Sequence, residues 1–332
     1  MTHHQKKPIR HLLLAGILLV GGIAYLLADR YLIQHVEIAD VSAYSLVPSA
    51  TPASPGSKTT LAGTATSPPD TVAMEPVSSE GVYLDDWQYA AEDVTISIEK
   101  VSTGSGRDTL TYFVADVVVT DASTLGSAFA NNQFGRNIIE TTSAIAAEND
   151  AIFAINGDYY GFRSDGIVIR NGVIYRDQPA RTGLVFYRDG SLEIYDETST
   201  TAEDLLAAGA WNTLSFGPAL LVDGEIPANL TTVEVDTNFG NHSIQGNQPR
   251  TGVGMISVNH FIFIVVDGRS NGYSRGATLT EFARMFVERG CSQAYNIDGG
   301  GSSTMYFNGR VVNNPLGRNQ ERGTSDILLI TS

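Results

Sequence analysis

From residue 94 onward, apolar and polar side chains alternate in short runs, the period-two signature of strands with one face in a core. Val94 to Val101 keeps this alternation, and Leu110 to Val119 is rich in β-branched side chains. Ala151 to Ile155, Gly183 to Tyr187, Leu192 to Tyr195, Phe261 to Val266, Gln293 to Ile297, Arg310 to Val312 and Ile327 to Ile330 read the same way. Asn171-Gly172, Asp189-Gly190, Asp223-Gly224 and Asn308-Gly309 lie between or beside such runs and tolerate the positive φ of a tight hairpin turn. Helical spacing is rarer. Thr278-Leu279-Thr280-Glu281 fits a capping box, Leu279, Phe282, Ala283 and Phe286 share one face, and Gly290 stops the helix. Thr201 to Asp204 opens a short second helix, and Asn137 to Glu148 is a third. The pattern predicts an α+β fold, a single domain of mixed, largely antiparallel sheet with a few packed helices.

Two segments precede that domain. Leu12 to Ala28 is a run of seventeen uncharged, mostly apolar residues, at the short end of a bilayer span, and Lys6, Lys7 and Arg10 stand before it. This predicts a cytoplasmic basic tail at 1–11 and a transmembrane signal-anchor helix at 12–33. The competing reading is a cleavable signal peptide, but Ala24 to Ala28 is too bulky for a small-x-small cleavage site. Either way the domain lies outside the cytosol, so the expected location is the cell membrane, single-pass, with an extracellular domain. Residues 34–80 turn to Pro, Ser, Thr, Ala and Gly with few large apolar side chains, which predicts a disordered linker. The folded unit is expected over 81–332.

Composition narrows the partners. The 332 residues are 42% hydrophobic, enough for a sizeable core, and carry 36 acidic against 21 basic residues, a net charge of −15. Such a surface repels a phosphate backbone, which argues against nucleic acid as a partner. One cysteine, Cys291, excludes an intramolecular disulfide and a cysteine-based zinc cluster.

The densest chemistry lies in Asn296-Ile297-Asp298-Gly299-Gly300-Gly301-Ser302-Ser303-Thr304-Met305. Three glycines after a strand let backbone amides approach an oxygen anion, with Asp298 and Ser302 at the rim. A glycine-rich turn with an Asp cap is the plainer alternative. Three further polar clusters follow or interrupt strands: Asn156-Gly157-Asp158-Tyr159-Tyr160, Gln248-Pro249-Arg250-Thr251-Gly252, and Asp267-Gly268-Arg269 with Ser274-Arg275-Gly276 behind it. Taken singly, each is more readily a turn, Arg269 a solvated loop charge, and Tyr159 and Tyr160 packing residues. Together, at strand ends backed by a rigid sheet, they suit a site.

In that order, with Gly217-Pro218-Ala219-Leu220-Leu221-Val222, Pro249 to Gly254 and Val312-Asn313, these motifs resemble the phosphodiester glycosidase family, both its animal N-acetylglucosamine-1-phosphodiester α-N-acetylglucosaminidase branch and its bacterial exopolysaccharide-type members. The resemblance covers roughly residues 150–330. Gly323-Thr324-Ser325-Asp326 departs from the Pro-Val-Ser-Asn expected there. The resemblance implies a hydrolase that cleaves a sugar C1–O bond whose far side is phosphate, acting on cell-surface glycans or exopolysaccharide. A phosphomonoester leaves as a stable anion with a second pKa of about 6, so proton donation matters less than binding charge and stabilising an oxocarbenium-like carbon. Arg250 is the first choice for phosphate and Arg275 the second, by the planar fork of guanidinium. Thr251, the Gly299, Gly300 and Gly301 amides, Ser302 and Ser303 are expected to bind phosphate or sugar. Asp298 is the preferred catalytic carboxylate, with Asp267 and Asp158 next. Asn156 and Asp158 hold sugar hydroxyls or a cation in the alternative, and His242 is an outside choice as proton donor.

No cofactor is required by this chemistry, although a divalent cation such as calcium is possible at an extracellular oxygen-ligand site. Two other functions fit the motifs: a phosphodiesterase that cleaves the P–O bond, and a glycan-binding surface protein without activity.

Overall fold

The computed structural model describes residues 7–44, 77–79, 81–235 and 243–331. His242 and most of the expected linker lie outside them. Two antiparallel sheets face each other. The larger has nine strands in the order Ala219–Leu221, Gln293–Ile297, Arg250–Ser257, His260–Val266, Leu110–Val119, Val94–Thr103, Gln88–Ala90, Val82–Leu84 and Val77–Ser79. The smaller has five, in the order Arg310–Val311, Met305–Phe307, Ala151–Asn156, Asp326–Thr331 and Gly126–Phe129. A three-stranded sheet, Leu192–Asp196, Thr182–Tyr187 and Ala210–Leu214, closes one side of the core. The predicted α+β class, largely antiparallel, is what forms.

Period-two alternation explains the layers. Along His260–Val266, Phe261, Phe263 and Val265 enter the core between the sheets, together with Phe153, Ile155, Met305, Phe307, Leu328 and Ile330. Phe153 and Phe263 meet across the gap with ring centroids 5.3 Å apart. The intervening Ile262, Ile264 and Val266 face the other way, into a second core. Four helices lie among the described residues: α1 (Lys7–Tyr31), α2 (Thr142–Glu148), α3 (Ala202–Ala207) and α4 (Leu279–Glu288). The α4 helix supplies Leu279, Phe282, Ala283 and Phe286 to the second core. Its start is the predicted capping box, Thr278 and Glu281 each bonding the other's backbone. The α2 helix covers the outer face of the five-stranded sheet through Ile145 and Ala146.

The hairpin dipeptides Asn171-Gly172, Asp223-Gly224 and Asn308-Gly309 all carry positive φ at both positions, as the turn chemistry requires. Three expectations need correction. The α2 helix begins five residues later than the sequence pattern suggests, because Asn137 sits at φ 58 and Glu140 bridges Thr324, so Thr141 becomes the cap. Both ends of the expected linker join sheets: His35–Ile38 pairs with Phe134–Arg136, and Val77–Ser79 with Val82–Leu84. The predicted membrane span folds as α1, but among the described residues no helix is long and apolar enough to cross a membrane. The uncharged run within α1, Leu12 to Ala28, is seventeen residues and is diluted by Gly16, Gly21 and Gly22, short of the roughly 20 apolar residues a bilayer needs.

Candidate active site

Strand ends converge at one edge of the sandwich. Arg250 pairs with Val266 and Thr251 with Ile297, which sets the start of one strand beside the ends of two others. Asn156, at the end of a strand of the facing sheet, stitches this edge together. Its Nδ2 donates to the Asp298 carbonyl at 2.7 Å, while its Oδ1 accepts from Thr251 Oγ1 at 2.8 Å and from the Thr304 amide at 3.2 Å. Both residues are fully buried and neither lines the adjoining cleft, so Asn156 and Thr251 position the edge.

A cleft of ≈ 240 Å³ opens beside this edge. Tyr159 and Phe216 line one part of it, ring centroids 5.8 Å apart and nearly edge-to-face. Arg250, Arg269 and Arg322 line it as well, with Asp298, Gly299, Gly300 and Asn296. Arg250 is 3% exposed and donates from two of its three nitrogens to carbonyls: Nε to Ala277 at 3.0 Å, Nη2 to Ile244 at 2.7 Å and Gly246 at 2.9 Å. Burial lowers its pKa to about 10, which leaves it charged at neutral pH, and no carboxylate pairs with it among the described residues. A buried cation without a counter-ion is costly unless an anion visits it. Arg269, read from sequence as a solvated charge, also faces the cleft and donates to Gln248 Oε1 at 2.8 Å. Its pKa is lowered by burial and by the nearby Arg322 charge.

Among the three carboxylates singled out by sequence, Asp298 alone lines the cleft. Arg322 reaches it with Nη2 at 3.2 Å and also donates to Ser302 Oγ at 2.7 Å and to the Gly299 carbonyl at 3.3 Å. Burial raises the Asp298 pKa, and the Arg322 charge works against that rise. If Asp298 acts ionised, Arg322→Ala removes the opposing charge and the acid limb of the kcat/KM profile moves to higher pH, by roughly one unit or more. A pH–rate profile of the variant checks the sign.

Asp158 and Asp267 are occupied elsewhere. Asp158 accepts from the Tyr159 amide at 2.7 Å and the Ser215 amide at 2.6 Å, so it fixes the backbone on both sides of the aromatic wall. Arg170, fully buried, lies 3.9 Å from Asp158 and bonds Asp326 at 2.7 Å. Asp326, the residue that departs from the expected Asn, thus has a buried cation of its own. Asp267 accepts from Asn313 Nδ2 at 2.9 Å, Tyr273 Oη at 2.8 Å and the Asn314 amide at 3.0 Å, which pins the 313–314 loop. Its lone pairs are taken, and it does not line the cleft.

Arg275 is also placed away from the cleft: it pairs with Glu281 at 2.6 Å and braces the start of α4. Arg275→Ala is expected to leave kcat/KM within about twofold and to cost up to about 1 kcal/mol of stability, as for partly exposed ion pairs. Steady-state kinetics beside thermal melting test both halves. The triple glycine differs from an open anion cradle. The Gly300 amide donates to the Pro249 carbonyl at 3.0 Å and the Ser302 amide to Gly299 at 3.3 Å. These glycines serve close packing instead, since a Cβ on Gly299 would stand 2.9 Å from the Pro249 carbonyl. Ser302 holds Arg322, and Ser303 is buried with its hydroxyl unpartnered. Among the described residues no group of three or more His, Cys, Asp or Glu side chains is arranged to hold a metal ion.

The Phosphodiester glycosidase family model matches residues 149–331, more than half of the chain and every wall of the cleft. The chain belongs to the phosphodiester glycosidase family. The chain is 33% identical over 210 residues to an uncharacterised SPbeta prophage-derived protein of Bacillus subtilis (strain 168), covering 60% of this chain and 31% of that one. It thus spans about a third of that relative's length. The zebrafish N-acetylglucosamine-1-phosphodiester α-N-acetylglucosaminidase catalytic domain, auto-inhibited by its pro-peptide, shares the fold at TM-score 0.58 and 21% identity, over 73% of this chain and 84% of that one. An exported Burkholderia pseudomallei K96243 protein matches at TM-score 0.50 and 16% identity, over 68% and 75% of the two chains.

Proposed function

We propose that this protein hydrolyses sugar-1-phosphodiester bonds in extracellular glycans or exopolysaccharide, releasing free sugar and a phosphomonoester. The observation that carries this reading is Asp298, among the described residues the one carboxylate lining the cleft, beside a buried guanidinium, Arg250, that has no carboxylate partner among those residues. In this reading Arg250, with Arg269, holds the phosphodiester anion. Asp298 faces the anomeric carbon as nucleophile, or as base for water, and stabilises the positive charge that grows there. One carboxylate is sufficient because the phosphate departs as an anion and needs little help from an acid. Asp158 and Asp267 act as positioning residues. Arg322 favours the ionised form of Asp298 and aims it.

The domain is proposed to work outside the cytosol, with the catalytic unit over 81–332. Support comes from Lys6, Lys7 and Arg10 ahead of the apolar run and from the exposed apolar side chains within it, Ile17, Leu18, Leu19, Val20 and Ile23. These suit membrane association of the N-terminus.

Incubation with a GlcNAc-1-phosphodiester model compound and with other sugar-1-phosphodiesters is the direct assay. Release of reducing sugar and a phosphomonoester is expected from at least one. Absence of both products across the series removes the proposal.

A further inference from the structure

Asn296 opens the polar run that ends at Met305, lies on the last strand before the catalytic loop and lines the cleft. It is 1% exposed. Its Nδ2 donates to the Gly217 carbonyl at 2.8 Å, and its backbone amide donates to the Pro218 carbonyl at 3.0 Å. The Nδ2 bond fixes which way the amide is turned, so the acceptor Oδ1 is the free end. That oxygen has no hydrogen-bond partner. A buried amide oxygen left unmade is a standing cost that a visiting donor would relieve.

Its surroundings say what visitor fits. Gly217 follows Phe216, so Asn296 is tied to the backbone beside the aromatic wall. Aromatic faces suit the apolar C–H side of a pyranose, whereas Arg250 and Arg269 suit phosphate. Asn296 stands two residues before Asp298, which follows the strand's last residue, Ile297, and both line the cleft. A carboxylate facing C1 and an acceptor in the same cleft would both address one sugar ring.

Resting on the proposed reading of the cleft, we infer that Asn296 is a specificity-determining residue. Its Oδ1 accepts a hydrogen bond from the substituent on the ring carbon next to C1 while the ring lies against Tyr159 and Phe216. The ligand class is a glycosyl phosphate bearing a hydroxyl or an acetamido N–H at that carbon. A ring with no donor there leaves the oxygen unsatisfied and is rejected.

The test measures binding of three non-hydrolysable glycosyl phosphonates, identical except for 2-hydroxyl, 2-acetamido and 2-deoxy, by calorimetry on the full chain. The deoxy ligand is expected to bind roughly tenfold to hundredfold more weakly than at least one of the others, the range for a buried acceptor left unpaired. The better donor distinguishes a plain hexose from an N-acetylated one. Asn296→Ala should shrink the gap to within about twofold by weakening the donor-bearing ligand. Equal binding of all three by the wild-type protein overturns the inference whether or not the variant folds. So does a gap that persists in a folded Asn296→Ala. Binding of none of the three overturns it as well, and the parent reading then stands or falls on turnover of phosphodiesters.

Discussion

Asp298→Asn is expected to lower kcat by roughly 10⁴-fold while leaving KM within a few-fold, as for loss of a group used mainly in the transition state. The substitution is nearly isosteric. Its amide oxygen can still accept from Arg322, which in the native protein lies 3.2 Å from the carboxylate, and the backbone carbonyl that Asn156 holds is untouched. Folding should therefore survive, and the loss is chemical. Asp158 and Asp267 cannot substitute, since neither lines the cleft: Asp158 already accepts from two backbone amides, and Asp267 from the Asn314 amide and two side chains. Steady-state kinetics with far-UV circular dichroism as the folding control decide the matter. Residual kcat above a tenth of wild type would place the working carboxylate elsewhere.

The second large effect is at Arg250. Arg250→Met should reduce kcat/KM by roughly 10²- to 10³-fold, the loss of a charge-assisted contact to an anion whose charge grows during the reaction. A diester bears one negative charge and the departing monoester approaches two, so the guanidinium binds the transition state more tightly than the substrate. Both kcat and KM are then affected. Arg250→Lys should recover little, because a single ammonium cannot both bond the carbonyls of Ala277 and Ile244 and face phosphate. An Arg250→Met variant that melts normally and keeps wild-type kcat/KM would mean the buried cation serves only the 244–246 segment.

Much of the fold is legible in the sequence because its signals are local. Strand alternation in Val94–Thr103 and His260–Val266, the Asn-Gly and Asp-Gly turns and the Thr278–Glu281 capping box are each set by residues a few positions apart. The α2 start is not legible in this way, because its boundary depends on Glu140 meeting Thr324, a contact nearly two hundred residues away in the chain. The site divides along the same line. Asp158, Asp267 and Asp298 look alike in sequence, each at or just beyond a strand end. What separates them is distant: Ser215 claims one, Asn313 and Tyr273 another, and the third is left facing the cleft with Arg322. Arg322 carries no pattern of its own, and Asn296 stands in the Asn296–Met305 run without a role that spacing assigns. The one local hint at Arg322 is its place in the loop whose following residues, Gly323 to Asp326, depart from the family's pattern.

Hydrolysis of a sugar-1-phosphodiester in ¹⁸O-labelled water tests C1–O cleavage at Asp298 most directly. Mass spectrometry should find the label in the released sugar's anomeric hydroxyl and none in the phosphomonoester. Label in the phosphate instead would mean attack at phosphorus, and would contradict Asp298 as the carboxylate that serves the anomeric carbon.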